Sequence, residues 1–315
     1  MFETTLSQMG VLALYIIIGF IIAKLKVVGA DGAKVLSKLE NTVFIPALVF
    51  MTFLEGFTVD SLSSSWKLLL FGLVAQLLVI PIAIFLSKLS SKSDYIRKIY
   101  TYGLSFSNFG FMGIPVVYAL FPEYSMQYIV FTLPFWTLIY VWGVPNLLMD
   151  TVGKPSFAKS LKKLINPMFI ALLIGAVLGI LGVKLPAFVL TVAGACQSCM
   201  SPLAMILTGI TFAGINFKKI FLDWSIYFVS VLRLIVLPLL FAGIYLLVTS
   251  VFGLILPNYF YILLVCAWAM PLGLNTVVIP AAYGKDTSTA AGMALISHTL
   301  SVITIPLVFT LLNLA

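Results

Sequence analysis

Charge is what this chain has least of. Only 9% of its 315 residues are Asp, Glu, Lys or Arg, against about a quarter in a soluble globular domain. That shortage, with 62% hydrophobic residues, excludes a water-solvated fold. Enzymatic signatures are missing too: there is no Walker loop, no zinc-ligand cluster, no Gly-x-Ser-x-Gly elbow and no pair of acids inside an apolar run. Neither catalysis nor a cofactor or metal site is therefore expected. A sodium/proton antiporter working through paired aspartates is disfavoured, and nucleotide-driven pumping has no domain to perform it. Cysteine is scarce: Cys196, Cys199 and Cys266 all fall in apolar runs, so no disulfide framework is expected. Cys196-Gln-Ser-Cys199 has a redox-like spacing but none of the βαβ setting such chemistry uses.

What the chain does have is apolar runs of the roughly 20 residues that a spanning helix needs. Ten spans are expected, near Ser7–Ala23, Leu36–Phe53, Trp66–Ser87, Ile99–Leu120, Ser125–Met149, Ile165–Leu181, Phe188–Ala213, Trp224–Val248, Tyr259–Tyr283 and Ser288–Leu312. The start, Met1-Phe2-Glu3, has no basic n-region, so the first run reads as a retained helix. A formal net charge of +8 raises the possibility of nucleic acid, but the basic residues lie in short loops, which is membrane topology. Lys24, Lys26, Lys34, Lys38, Lys88, Lys92, Arg97, Lys98, Lys154, Lys159, Lys162 and Lys163 fall on one side, with Lys218, Lys219 and Lys285. That side is expected to be cytoplasmic, with both termini outside. Pro155-Ser156 in the basic loop is turn chemistry.

Two spans carry interruptions. Asn108-Phe-Gly-Phe-Met-Gly-Ile-Pro115 places an amide, two glycines and a proline in the fourth. Pro271-Leu-Gly-Leu-Asn275-Thr-Val-Val-Ile-Pro280 does the same in the ninth. Proline removes a backbone donor and clashes with the carbonyl four residues earlier, and opened backbone at membrane depth must be buried or line a wet cavity. Gly113, Pro115, Pro271 and Pro280 are the expected breaks. The halves also correspond in order: Gly19 with Gly175, Pro46 and Thr52 with Pro202 and Thr208, Gln76…Pro81 with Arg233…Pro238, Pro115 and Tyr118 with Pro280 and Tyr283, Pro145 with Pro306. The expected fold is an all-α membrane protein of ten helices in a 5+5 inverted repeat with two interrupted helices. Residues 1–150 form the first repeat, 151–164 a basic cytoplasmic loop and 165–315 the second repeat. Broken helices at matching places are the best sequence pointer to a transporter's binding site.

Asn108 and Asn275 are the leading candidates for substrate contact, with Ser107, Gly110 and Thr276 in the same setting. The alternative is amides that bond neighbouring helices and nothing more. Helix N-termini at the breaks favour an anion. Arg233, the only basic residue deep in a span, is either functional or a donor to loose carbonyls of a broken helix. Glu40 is either solvated, paired with Lys38, or a proton carrier. His298, the sole histidine, either exchanges protons or is hydrogen-bonded within the bundle.

Ser107-Asn108…Met112-Gly113-Ile114-Pro115 resembles a motif of the auxin efflux carrier family, Gly-Asn-x-x-x-Met-Gly-Ile-Pro, with serine for its first glycine. That family includes plant auxin carriers and bacterial permeases for acids such as malate and malonate. Met270-Pro271…Asn275-Thr276…Tyr283-Gly284 is closer to the bacterial branch. The resemblance covers essentially the whole chain. It implies a sodium/bile-acid symporter-like fold with a dimerising scaffold of spans one, two, six and seven. The other six spans would be a moving transport domain that holds substrate where the broken helices cross and works as an elevator. The expected function is then secondary active or potential-driven movement of a small organic anion, with proton coupling open, across the cell membrane. Rival readings are a sodium-coupled organic anion symporter and a non-transporting sensor.

Overall fold

The computed structural model describes residues 2–148, 165–214, 223–282 and 285–314. Twelve helices are found there, and no strand among the described residues. They are α1 (Phe2–Lys24), α2 (Gly32–Gly56), α3 (Val59–Ser90), α4 (Asp94–Ser105), α5 (Phe109–Leu120), α6 (Pro122–Leu148), α7 (Pro167–Ile180), α8 (Ala187–Ala213), α9 (Trp224–Phe252), α10 (Asn258–Ala269), α11 (Asn275–Ala282) and α12 (Ser288–Leu311). Seven of these are long and apolar enough to cross a membrane: α1, α2, α3, α6, α8, α9 and α12. The shorter apolar helices α5, α7 and α10 fall on other expected spans, two of which the interruptions divide. The expected basic loop 151–164, Lys218, Lys219 and Tyr283 lie outside the described residues.

Local chemistry explains the helix ends. Ser93, Asn166 and Asp223 each accept a bond from a first-turn N–H of α4, α7 and α9, the N-cap role of short polar side chains. Gly253 closes α9 in the left-handed region at φ 58°, where glycine has no Cβ to clash. Three helices widen just ahead of a proline. π-type turns at Glu40–Phe44, Phe109–Gly113 and Leu232–Val236 each end two residues before Pro46, Pro115 and Pro238. Widening shifts the carbonyl that the ring would strike, so the chain continues as helix instead of breaking.

In the packing, α1 lies on α8 and α12, α2 on α7 and α8, α3 on α4 and α6, and α9 on α10 and α12. Glycines set the close crossings: a Cβ at Gly19 or Gly209 would run into backbone of the facing helix, Ile206 and Ile16 respectively. Gly175 plays the same part for α7, where a Cβ would sit 2.7 Å from the Phe50 carbonyl oxygen of α2. Small residues at such contacts are how helices associate where lipid removes the hydrophobic drive. Meanwhile α1 turns Leu14, Ile17, Ile18 and Ile21 outward. By contrast, every residue from Phe260 to Ala269 in α10 is buried, so this helix is walled all round. At its end Trp268 stacks on Phe241 at 4.6 Å and meets Phe135 edge-on at 5.0 Å.

Candidate functional site

Two helices stop inside the bundle. α4 ends at Ser105 and α5 resumes at Phe109; α10 ends at Ala269 and α11 resumes at Asn275. The unwound residues lie side by side. Ser107 and Leu272 form an antiparallel bridge, and the Asn108 N–H donates to the Pro271 carbonyl at 2.7 Å. A Cβ on Gly273 would stand 3.2 Å from the carbonyl oxygens of both Phe106 and Ser107. Glycine here lets the two backbones touch.

The open residues are therefore 106–108 and 270–274, not the prolines as a set. Pro271 lies in the opening. Pro115 sits in the first turn of the regular helix after the wide turn, and Pro280 lies inside α11. A first-turn proline costs no hydrogen bond, and the wide turn before Pro115 absorbs its clash. Gly113 is buried against the Tyr128 hydroxyl, and Gly110 under Trp136, where a Cβ would come within 2.8 Å of the ring.

Opening a helix orphans its last carbonyls, and two long polar side chains from flanking helices take them up. Gln76 of α3 donates Nε2 to the Ser105 carbonyl at 3.0 Å. Arg233 of α9 donates Nε to Met270 (3.1 Å), Nη2 to Ala267 (3.2 Å) and Nη1 to Leu104 (2.9 Å). One fully buried guanidinium thus serves carbonyls of both broken helices, the geometry that the fold-holding reading of Arg233 calls for. The Ser107 hydroxyl donates to Ala267 at 2.7 Å, and that of Thr276 to Gly273 at 2.8 Å.

The two asparagines occupy different surroundings. Asn108 is buried and its Nδ2 donates to His298 Nε2 at 3.0 Å. On the other side of that ring, Nδ1 lies 2.7 Å from the Ala294 carbonyl. A carbonyl only accepts, so Nδ1 carries a proton, and with the Asn108 NH₂ set against it Nε2 is the acceptor of that bond. Asn275 is half-buried and donates Nδ2 to the Tyr102 hydroxyl at 3.3 Å. Both line one cleft with Tyr102, Phe106, Trp136 and Leu274, whose volume of about 20 Å³ admits a single water-sized group. Larger clefts flank α5. One of about 380 Å³ lies between α1, α5 and α8, and a second of about 220 Å³ shares Tyr118 and Gln197 with it.

The spacing of residues did not disclose Tyr102, Trp136 or the meeting of Asn108 with His298, which are brought together from distant helices. Glu40 departs from both the solvated and the Lys38-paired expectation. It is 1% exposed, and neither carboxylate oxygen has a hydrogen-bond partner. The wide turn beginning at Glu40 packs on α8 and α7, which carries this residue into the bundle instead of toward water. It lies well away in sequence and element from the cleft, whose lining does not include it. Cys196, Cys199 and Cys266 are free thiols.

The architecture is that of an integral multi-pass membrane protein with a polar, backbone-opened centre. A family model described as membrane transport protein, the auxin efflux carrier family, matches residues 6–156 and 154–309. The chain belongs to that family of transporters. No curated protein was found to match it.

Proposed function

We propose that this protein is a secondary carrier for a small organic anion, a carboxylate, bound where the two broken helices cross. The observation that carries this reading is the cleft shared by Asn108 and Asn275 at the starts of α5 and α11. The positive ends of two helix dipoles converge there, which suits a carboxylate. Aromatic walls from Tyr102, Phe106 and Trp136 suit an apolar body behind it. Ser107, whose hydroxyl already donates to Ala267, lines the cleft, Thr276 holds the Gly273 carbonyl beside it, and Gly110 lets Trp136 approach.

The same reading takes the chain as a 5+5 inverted repeat with both termini outside the cell membrane. Gly19 and Gly175, equivalent in the two halves, make equivalent crossings, and Gln76 and Arg233, also equivalent, both donate to broken-helix carbonyls. Helices α1, α2, α7 and α8 form the scaffold, through which two copies pair. The remaining helices move past it as an elevator. What supports this is the packing of α1 on α8 and of α2 on α7 and α8, with the 380 Å³ cleft lying between α1, α5 and α8. In the state described, the crossing is contracted around a water-sized space.

Thermal unfolding of the purified protein against malonate, malate, indole-3-acetate, their neutral amides and sodium tests this. Ligand binding raises apparent stability by mass action. One acid should stabilise the wild type and fail to stabilise Asn108→Ala, and liposomes should take up that acid. Stabilisation by sodium alone would move the sodium-coupled reading ahead. Binding without any flux would favour a sensor.

A further inference from the structure

His298 and Asn108 share one hydrogen bond whose direction depends on a proton. In the state described, Ala294 holds the Nδ1 proton, so Nε2 is a bare acceptor and turns the Asn108 NH₂ toward itself. One of the two amide hydrogens is thereby kept from the cleft, and Asn108 Oδ1, an acceptor, is directed away from the histidine. An acceptor is the wrong group to offer a carboxylate. If Nε2 gains a proton, the two donors clash and the amide turns about its Cβ–Cγ bond. Oδ1 then accepts from Nε2–H, and both amide hydrogens face the cleft. The Nδ1–H bond to Ala294 is unchanged throughout.

From this we infer that His298 is a proton-binding positioning residue: taking up one proton with each carboxylate, it turns the Asn108 amide from acceptor to donor toward the substrate. This rests on the carboxylate reading above and adds its coupling. The balance is one carboxylate and one proton entering from the same aqueous side, the proton bonding to the Nε2 lone pair and leaving when the acid leaves. A buried imidazolium next to a bound carboxylate is also charge-compensated, which neither ion would be alone in the bundle.

No ionisable partner faces His298. It also lines a cavity of about 270 Å³ with Ile16, Phe20, Leu295, Thr299 and Val302 among others, in which the histidine is the one ionisable side chain. Phe212 meets the imidazole edge-on at 5.6 Å. The elements packed on α12 are α1, α4, α9, α10 and α11, with α8 touching the ring through Phe212 and carrying no charged side chain. Their charged side chains, among the described residues, are Glu3 and Lys24 at the ends of α1, Asp94, Arg97 and Lys98 at the start of α4, and Arg233. Arg233 is committed to three carbonyls. The other titratable groups there are Cys196, Cys199, Cys266 and tyrosines 15, 95, 100, 102, 227, 245, 259 and 261. Neither ring nitrogen bonds to any of them; their partners are Asn108 and Ala294.

A single histidine in the chain makes the test direct. The full-length protein, labelled with ¹⁵N-histidine and carrying no polyhistidine tag, is reconstituted in lipid and its imidazole nitrogens read by NMR. The probe is whichever of malonate, malate and indole-3-acetate stabilises it thermally. Without acid, the neutral tautomer protonated on Nδ1 is expected; with saturating acid, the doubly protonated ring. By reciprocity, affinity should rise about tenfold per unit fall in pH wherever the free ring is neutral and the bound ring charged. His298→Gln, whose Oε1 still accepts from Asn108, should bind with no such slope. An Nε2-protonated tautomer, a ring unchanged by bound acid, or the same slope in His298→Gln would each overturn the inference while leaving the carboxylate reading standing. Failure of every acid to bind would overturn both, and the tautomer would still report the hydrogen bond.

Discussion

The two broken helices solve one problem with unequal means. In the first half, a neutral Gln76 meets one orphaned carbonyl, and a wide turn follows the break before Pro115. In the second, a charged Arg233 meets two carbonyls of its own break and reaches across to Leu104 in the first. The asparagines differ likewise: Asn108 is buried against His298, while Asn275 is half-buried beneath Tyr102. Two positions with the same spacing to a proline can therefore hold a local prop at one break and a tie between both breaks at the other. The crossing hangs on the second half more than on the first.

Removing the tie should have the largest effect. Arg233→Ala takes the guanidinium from the Leu104 and Met270 carbonyls and leaves Ala267 with the Ser107 hydroxyl alone, at a cost of about 1–3 kcal/mol for each buried carbonyl left unmet. Loss of a monodisperse peak in size-exclusion chromatography, or a collapse in unfolding temperature, is expected. Arg233→Gln, which imitates the first half, should recover part of it. Unfolding of Arg233→Ala at the wild-type temperature would break the comparison. Gly273→Ala comes next: a Cβ pressed against the Phe106 and Ser107 carbonyls should push the two openings apart at a cost of about 1–3 kcal/mol, with acid affinity falling alongside stability. Gln76→Ala frees only the Ser105 carbonyl, and a loss of roughly 1–2 kcal/mol is expected. A thermal shift as large as that of Arg233→Ala would make the two props equal. The smallest change should come from Tyr102→Phe, which removes one 3.3 Å bond. We expect about 0.5–1.5 kcal/mol or less, with a modest weakening of acid binding seen in the same thermal assay.

Much of this arrangement was legible in the residues. Asn108 and Asn275 were marked by the glycines and prolines around them, and the structure does place both at one cleft. The match of Gln76 to Arg233 was visible from the shared spacing to Pro81 and Pro238. Their unequal tasks were not, because which carbonyls a side chain reaches depends on where the other half lies. The prolines misled on where the backbone opens. Helix can widen by one residue ahead of a proline and carry on, as at Pro46, Pro115 and Pro238, and nothing in composition separates widening from breaking. Glu40 misled because its burial comes from α7 and α8 packing on the turn that begins there.

The membrane class, the helical character and the residues at which backbone could open were decided by the sequence itself. Apolar run length and the special chemistry of proline, glycine and asparagine act locally, whatever surrounds them. What only the tertiary structure decided is which opened groups meet. Ser107 against Leu272, Arg233 on both breaks, and Asn108 against His298 are contacts between segments far apart in the chain. Buried backbone and side-chain groups must find partners somewhere, but the sequence states only the requirement; packing chooses the partner.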